Sequence, residues 1–262
     1  MSTAGVLADK VVVVSGVGPG LGRSIALQSA AAGADLVLAA RTQSRLDEVA
    51  KEVRELGREV LTVRTDITDD SSAAGLVQAS LDKFGRVDVL VNNAFGMPPM
   101  KKLADVDFEA IRAAFEVTVL GGLRLTKLFV PALAESKGAV VMINSSVIRH
   151  TQAPYGPYKI TKAALLAASQ SLATELGPRG IRVNTVAPGW IWADSLKWYF
   201  DHLAGKRGVP VQQVYDETAA AMDLRKLPEP DEIADAVVFL ASPMARAITG
   251  QTLDVNCGEF HP

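Results

Sequence analysis

Tyr158 and Lys162 stand four residues apart. On a helix that spacing puts two side chains on one face. A lysine beside a tyrosine favours the phenolate and draws the phenol pKa, ordinarily ~10, toward neutrality. Such a pair can give a proton to a reacting oxygen or take one from it. Tyr155 and Lys159 repeat the spacing, with Pro157 between them. Proline is well tolerated near the first helical position, which places Tyr155 before the helix and Tyr158 with Lys162 inside it. Tyr155 is left to line a substrate entrance. Ser145 and Ser146 close the preceding apolar run. Either hydroxyl could polarise a carbonyl oxygen, and the other would help the strand end turn.

A second group of residues suits a nucleotide. Ser15-Gly16-Val17-Gly18-Pro19-Gly20-Leu21-Gly22 lies between an apolar run and an alanine-rich stretch. Glycines here allow a sharp turn and close backbone approach to a pyrophosphate, and the helix start behind them offers free N–H groups and a positive dipole end. A typical NAD site carries an acidic residue at the end of the second strand, ~20 residues on, for the ribose hydroxyls. This chain has Ala40 and Arg41 there. A guanidinium can pair with a 2′-phosphate, so NADP is expected in preference to NAD. Pro19 occupies the position where a second NADP-favouring charge could stand, and a solvated loop arginine is the alternative for Arg41.

The elements that must hold these groups alternate. Val11–Val14 is β-branched at every position, and a continuous apolar run means a strand buried on both faces. Leu21–Ala32 reads as a helix closed by Gly33. Strands follow at 35–40, 60–64, 87–91, 139–144 and 181–186, with helical stretches at 45–56 and 72–84. Strands alternating with helices imply βαβ units, a parallel sheet and, with right-handed crossovers, the doubly wound α/β arrangement. From Trp190 to about Lys226 the chain reads as irregular, with Trp190, Trp192, Trp198, Tyr199 and Phe200 close together and Pro210, Pro228 and Pro230 as punctuation. No linker or composition shift appears elsewhere, so residues 1–262 read as one domain carrying an insert at about 190–226. The insert would lie beyond the carboxyl ends of the strands, where such sheets bind ligands. Its aromatics, with Phe95 and Met97, suggest an apolar and fairly large substrate, or else a small core of the insert's own.

Bulk composition narrows the classes. The 262 residues are 48% hydrophobic and carry 27 basic and 29 acidic side chains, a formal charge of −2 without a basic footprint for nucleic acid. Cys257 is the single cysteine, and His150, His202 and His261 lie far apart as surface or loop residues, so neither a disulfide nor a metal site is expected. Met1–Lys10 lacks the apolar stretch of a signal peptide, and no run reaches the ~18 uninterrupted apolar residues of a membrane span. A cytoplasmic protein with no membrane partner is the expectation.

In this order the motifs resemble those of the short-chain dehydrogenase/reductase family. The Ser-Gly-x-x-x-Gly-Leu-Gly turn is similar to the family's Thr-Gly-x-x-x-Gly-Ile-Gly. Asn92-Asn93-Ala94 resembles its Asn-Asn-Ala-Gly, Tyr158-x-x-x-Lys162 its catalytic pair, and Pro188-Gly189 its nicotinamide-side turn. The resemblance covers nearly the whole chain. It implies a Rossmann fold with about seven parallel strands and helices on both faces. It also implies hydride transfer between a nicotinamide and a carbonyl or alcohol, and a homotetramer or homodimer joined through the long helices after strands four and five. It selects Ser145, thirteen residues before Tyr158, over Ser146, and gives Lys162 a second task on the nicotinamide ribose. It places Asp66 and Ile67 at the adenine and Asn92 near the adenosine ribose, where a structural asparagine is the alternative. With Gly16, Gly18, Gly20, Leu21, Gly22, Arg41, Ala94, Pro188, Gly189 and Ile191, these complete the expected cofactor set.

Three positions depart from the family. Thr118 stands where Val-Asn-x-x-Gly has asparagine, Phe95 follows Asn-Asn-Ala in place of glycine, and Ala193 occupies a frequent threonine position. Thr118 and Ala193 lend weight to a second reading, a nucleotide-binding regulator or scaffold with impaired catalysis. The intact Ser145, Tyr158 and Lys162 weigh against it.

Overall fold

The computed structural model describes residues 5–261, so the first four residues of the segment read for leader character lie outside it. Seven strands form one sheet: β1 (Val11–Ser15), β2 (Asp35–Ala40), β3 (Val60–Arg64), β4 (Val89–Asn92), β5 (Ala139–Ile143), β6 (Arg182–Pro188) and β7 (Thr252–Val255). Their spatial order is β3-β2-β1-β4-β5-β6-β7, and every neighbouring pair is parallel. Helices α1 (Leu21–Ala31), α2 (Gln43–Glu55) and α3 (Asp70–Phe84) connect the first four strands, and α4 (Phe108–Phe115), α5 (Gly122–Ser136) and α6 (Gly156–Leu176) follow. After β6 come α7 (Asp194–Arg207), α8 (Val211–Ala219) and α9 (Pro230–Ala241). The connection reverses direction between β1 and β4, and there the carboxyl ends of the strands open a crevice.

The strands are apolar on both faces because both faces are covered. Val12 and Val14 pack with Ile25 of α1, Leu46 of α2 and Val237 of α9. Val11 and Val13 pack on the other side with Leu76 of α3, Phe129 of α5 and Leu165 of α6. A continuous helical run, Phe108–Ser136, is long and apolar enough to pass for a membrane span. More than half of its most apolar window is buried, and Leu125, Phe129 and Leu133 pack in the core under the sheet, so it is a core helix.

Two expectations need correction. The 190–226 segment is not irregular: α7 and α8 occupy most of it. They enclose a small core of Leu196, Phe200, Ala204, Val214, Met222 and Leu227, against which Trp190, Trp192 and Tyr215 pack. Pro210 caps α8, and Pro230 occupies the first turn of α9 behind a Glu229–Glu232 capping box, where its missing N–H is harmless. The fourth strand also begins at Val89, not Val87, because Asp88 is committed to another task. Its buried carboxylate accepts from the Val11 N–H at 3.0 Å, from Lys10 and from Arg86.

Candidate active site

The candidate proton-transfer residues come from two neighbouring elements. β5 ends at Ile143, and Asn144 and Ser145 leave it in extended backbone. Asn144 fixes both sides of the gap: its side-chain oxygen accepts from the Ser145 N–H at 2.9 Å, and its amide donates to the Lys162 carbonyl at 3.1 Å. The sequence reading missed this residue. Its signal was an asparagine ending an otherwise apolar strand.

Tyr155 caps α6 and Pro157 lies in its first turn, so Tyr158 and Lys162 share a helical face as expected. Lys162 is fully enclosed and donates from Nζ to the Ile143 carbonyl at 2.9 Å. Burial pulls its pKa down to about 7. The Tyr158 ring keeps part of its surface open, but the surroundings of its phenol push the pKa up to about 12, the Ser145 hydroxyl drawing it back. The expectation that lysine lowers the tyrosine pKa is not met. With its own pKa near 7, Lys162 is only about half protonated at neutral pH and favours the phenolate less than a fully charged lysine would. Of the two serines, Ser145 is the one whose hydroxyl lowers the Tyr158 phenol, while the Ser146 hydroxyl lowers the Glu259 carboxyl.

The other spaced pair is taken apart. Lys159 donates to the His150 carbonyl at 2.6 Å and to Thr151 at 2.9 Å. Tyr155 sets its ring edge against His150, which also stacks on Phe260. His150 is therefore a partly buried loop histidine in an aromatic cluster, with Nδ1 buried and unpartnered.

The glycine turn lies at the exit of β1. Gly16 has φ +95°, and a Cβ there would stand 2.4 Å from the Ala94 nitrogen. A Cβ on Gly22 would meet the Gly16 carbonyl at 2.3 Å. Only glycine lets α1 and the β4 exit approach the turn this closely, which leaves Gly18 facing open space. Beside it lies a cleft of about 270 Å³ lined by Gly16, Gly18, Arg41, Asp66, Ile67, Ala94 and their neighbours, among them Thr42 and Arg45. Two hydrogen bonds from Thr68 hold the Asp66 carboxyl below the usual carboxylate range, and the Arg41 charge adds to this. The glycine cradle, the open N-terminus of α1 and the acid–base pair beyond it fit a dinucleotide.

Not every expected residue lines that cleft. Asn92 is buried and donates to Thr126 and to the Met142 sulfur, as a structural asparagine would. Its neighbour Asn93, absent from the expected set, lines the cleft and donates to the Gly16 carbonyl at 2.7 Å. Gly20 and Leu21 open α1, and Gly20 faces Ala193. Pro188, Gly189 and Ile191 lie at the exit of β6, on the nicotinamide side of the pattern.

Two of the departures are structurally linked. Thr118 lies in a π-helical stretch, Glu116–Gly121, a geometry often found at functional sites. Its hydroxyl accepts from the Gly96 N–H at 3.0 Å and so holds the turn that carries Phe95. The Phe95 ring covers Tyr158 and Lys162, with centroids 6.5 Å apart for the two rings.

Comparison with known proteins gives a consistent result. Residues 16–259 match the family model described as enoyl-(acyl carrier protein) reductase. The chain is 37% identical to an uncharacterized oxidoreductase of Mycobacterium tuberculosis (strain CDC 1551 / Oshkosh), over 98% of this chain and 94% of the relative. It is 32% identical to the 7α-hydroxysteroid dehydrogenase of Escherichia coli (strain K12), over 96% and 94%. Among solved structures, L-sorbose reductase from Gluconobacter frateurii, in complex with NADPH and L-sorbose, aligns with a TM-score of 0.92 at 29% identity, over the full length of both chains. A 7α-hydroxysteroid dehydrogenase in complex with NADH and 7-oxo glycochenodeoxycholic acid aligns at 0.87 and 30%, over 100% and 97%.

Proposed function

This chain belongs to the short-chain dehydrogenase/reductase family of NAD(P)-dependent oxidoreductases, and on that premise we propose that it moves a hydride between NADP(H) and a carbonyl or secondary alcohol on an apolar substrate. One observation carries the reading: Tyr158 lies one helical turn from a buried Lys162, with the Ser145 hydroxyl acting on its phenol, and Phe95, which lines the cleft by the glycine turn, packs against both. The nicotinamide, when bound, supplies or accepts the hydride. The Ser145 hydroxyl orients the substrate oxygen, and the Tyr158 hydroxyl gives that oxygen its proton or takes it. In its protonated form Lys162, held by the Ile143 carbonyl one helical turn from Tyr158, supports the phenolate. The regulator reading is not favoured, because these groups keep a working arrangement.

NADP over NAD rests on Arg41, exposed at the end of β2 with Arg45 one turn on. Arg41→Asp is expected to weaken NADPH binding about 10- to 100-fold, the worth of a charge-assisted contact, and to leave NADH binding little changed. Equal losses for both cofactors would contradict the preference.

An apolar substrate is supported by the exposed Phe95, Met97 and Tyr199, while Trp192 and Phe200 belong to the core of the insert. The named relatives cover both a steroid and a sugar, so the panel must too. Bulky ketones and alcohols, set against short sugars, are assayed by reduced-nicotinamide absorbance in wild type and Tyr158→Phe. Turnover of the bulky compounds that falls at least about 100-fold in Tyr158→Phe, with cofactor still bound, is the expected result. Turnover of short polar sugars alone would overturn the substrate class. We further place the protein in the cytoplasm, as one domain whose 190–226 segment caps the site. A homotetramer or homodimer is supported by the exposed Phe108, Leu120 and Ile160 on the long helices.

A further inference from the structure

Residues 256–260, after β7, form a turn that reaches back to the site. Asn256 builds it: its backbone carbonyl accepts from the Glu259 N–H at 3.1 Å, its side-chain oxygen from the Gly258 N–H at 2.9 Å, and its amide donates to the Phe260 carbonyl at 2.9 Å. Cys257 and Gly258 adopt positive φ, +55° and +82°, to close it. The turn sets the Glu259 carboxyl against the β6 exit, where the Trp190 indole donates to Oε1 at 3.1 Å. From the β5 exit, the His150 ring stacks on Phe260 of the same turn, centroids 4.9 Å apart. The other Glu259 oxygen, Oε2, is buried, 2.8 Å from where a Cβ on Gly189 would stand.

We propose that Glu259 is a positioning residue, tying the Gly189–Trp190 turn to the 256–260 turn, which Phe260 and His150 pack on the loop after Ser145, and so fixing the nicotinamide side of the site relative to Ser145. The inference rests on the oxidoreductase reading above, in which the Gly189–Trp190 turn faces the nicotinamide and Ser145 the substrate oxygen. A carboxyl suits the task because its oxygen is a strong acceptor for the indole N–H. An acidic group in such surroundings is expensive, and burial pushes its pKa up. The glycine at 189 has its physical reason in the same contact: any side chain there would displace the carboxyl.

The test uses the full chain, NADPH binding followed by energy transfer from tryptophan to the reduced nicotinamide, and turnover of the panel compound most active with wild type. Glu259→Ala is expected to lower kcat roughly 10- to 100-fold, the scale of a misplaced reacting group, and to weaken NADPH binding several-fold, with the thermal midpoint near that of wild type. Glu259→Gln keeps an acceptor for Trp190 and is expected to recover most of the loss. Trp190→Phe, without the indole donor, is expected to reproduce the loss, and the double variant to add little. Unchanged kcat and NADPH binding in Glu259→Ala would overturn the clamp, as would losses that add in the double variant. Wild type that binds NADPH but turns over nothing would defeat the oxidoreductase reading, and the variants' NADPH affinities would still decide the clamp. Wild type that does not bind NADPH overturns both.

Discussion

Lys162 Nζ lies 5.2 Å from the centre of the Phe95 ring, the residue that stands where related chains carry glycine. An ammonium over a ring face is stabilised by about 0.5–1 kcal/mol at open sites and more where water is excluded. The ring therefore favours the charged lysine that burial opposes. Phe95→Leu keeps the bulk and removes the ring face. It is expected to move the lysine-dependent limb of the kcat/KM profile to lower pH by about half a unit, since one unit corresponds to about 1.4 kcal/mol. An unmoved limb would show that the ring acts only as a wall.

Burial of Lys162 predicts how stability depends on pH. Its folded pKa, about 7, lies below the usual lysine value of 10.5. Between those values the unfolded chain holds the proton and the folded chain does not, so raising the pH stabilises the fold. Below about 7 the burial penalty is constant and at its full size. Wild type without ligand is thus expected to gain stability from pH 7 to 10, and Lys162→Met to lack that slope. Denaturant melts at successive pH values read it directly. Parallel curves for the two proteins would refute the buried-lysine account.

Asp88, at the other end of the sheet, gives a slope of the same sign at lower pH, but there the charged form is the stabilising one. Burial alone would raise its pKa, but Arg86, the Val11 N–H and Lys10 outweigh burial and hold it below the usual carboxylate range. Its stabilising contribution is present above the unfolded aspartate value and is lost as pH falls through the lower folded value. Asp88→Asn is expected to destabilise by about 1–3 kcal/mol at pH 7, and the difference from wild type should shrink as the solution becomes acid. Asp88 is remote from the cleft, so cofactor affinity should stay within twofold. A change in affinity without one in stability would contradict this.

The parts of the fold most legible in the sequence were those with a single physical cause. Val11–Val14 must be buried on both faces, and so it is. The glycines at 16 and 22 are required by backbone contacts closer than any Cβ allows. Pro157 separated Tyr155 from Tyr158 for the reason it gave, its place in the first turn of α6. What stayed hidden depended on competing causes. Pro210 and Pro230 read as breaks, yet each opens a helix. β7, Thr252–Val255, lies at the sheet edge and is only partly buried, so it offers no apolar run to notice. Asn93, Asn144 and Glu259 act through partners 18 to 77 positions away in the chain, and no local pattern announces such contacts.

The small core within residues 190–226 has a consequence for how such a protein can diversify. Leu196, Phe200, Val214 and Met222 pack with one another and lie outside both clusters that flank the sheet. A substitution among them perturbs this segment and leaves the βα layers largely undisturbed. Ancestral chains could therefore reshape the segment while Ser145, Tyr158 and Lys162 stayed on an unaltered foundation.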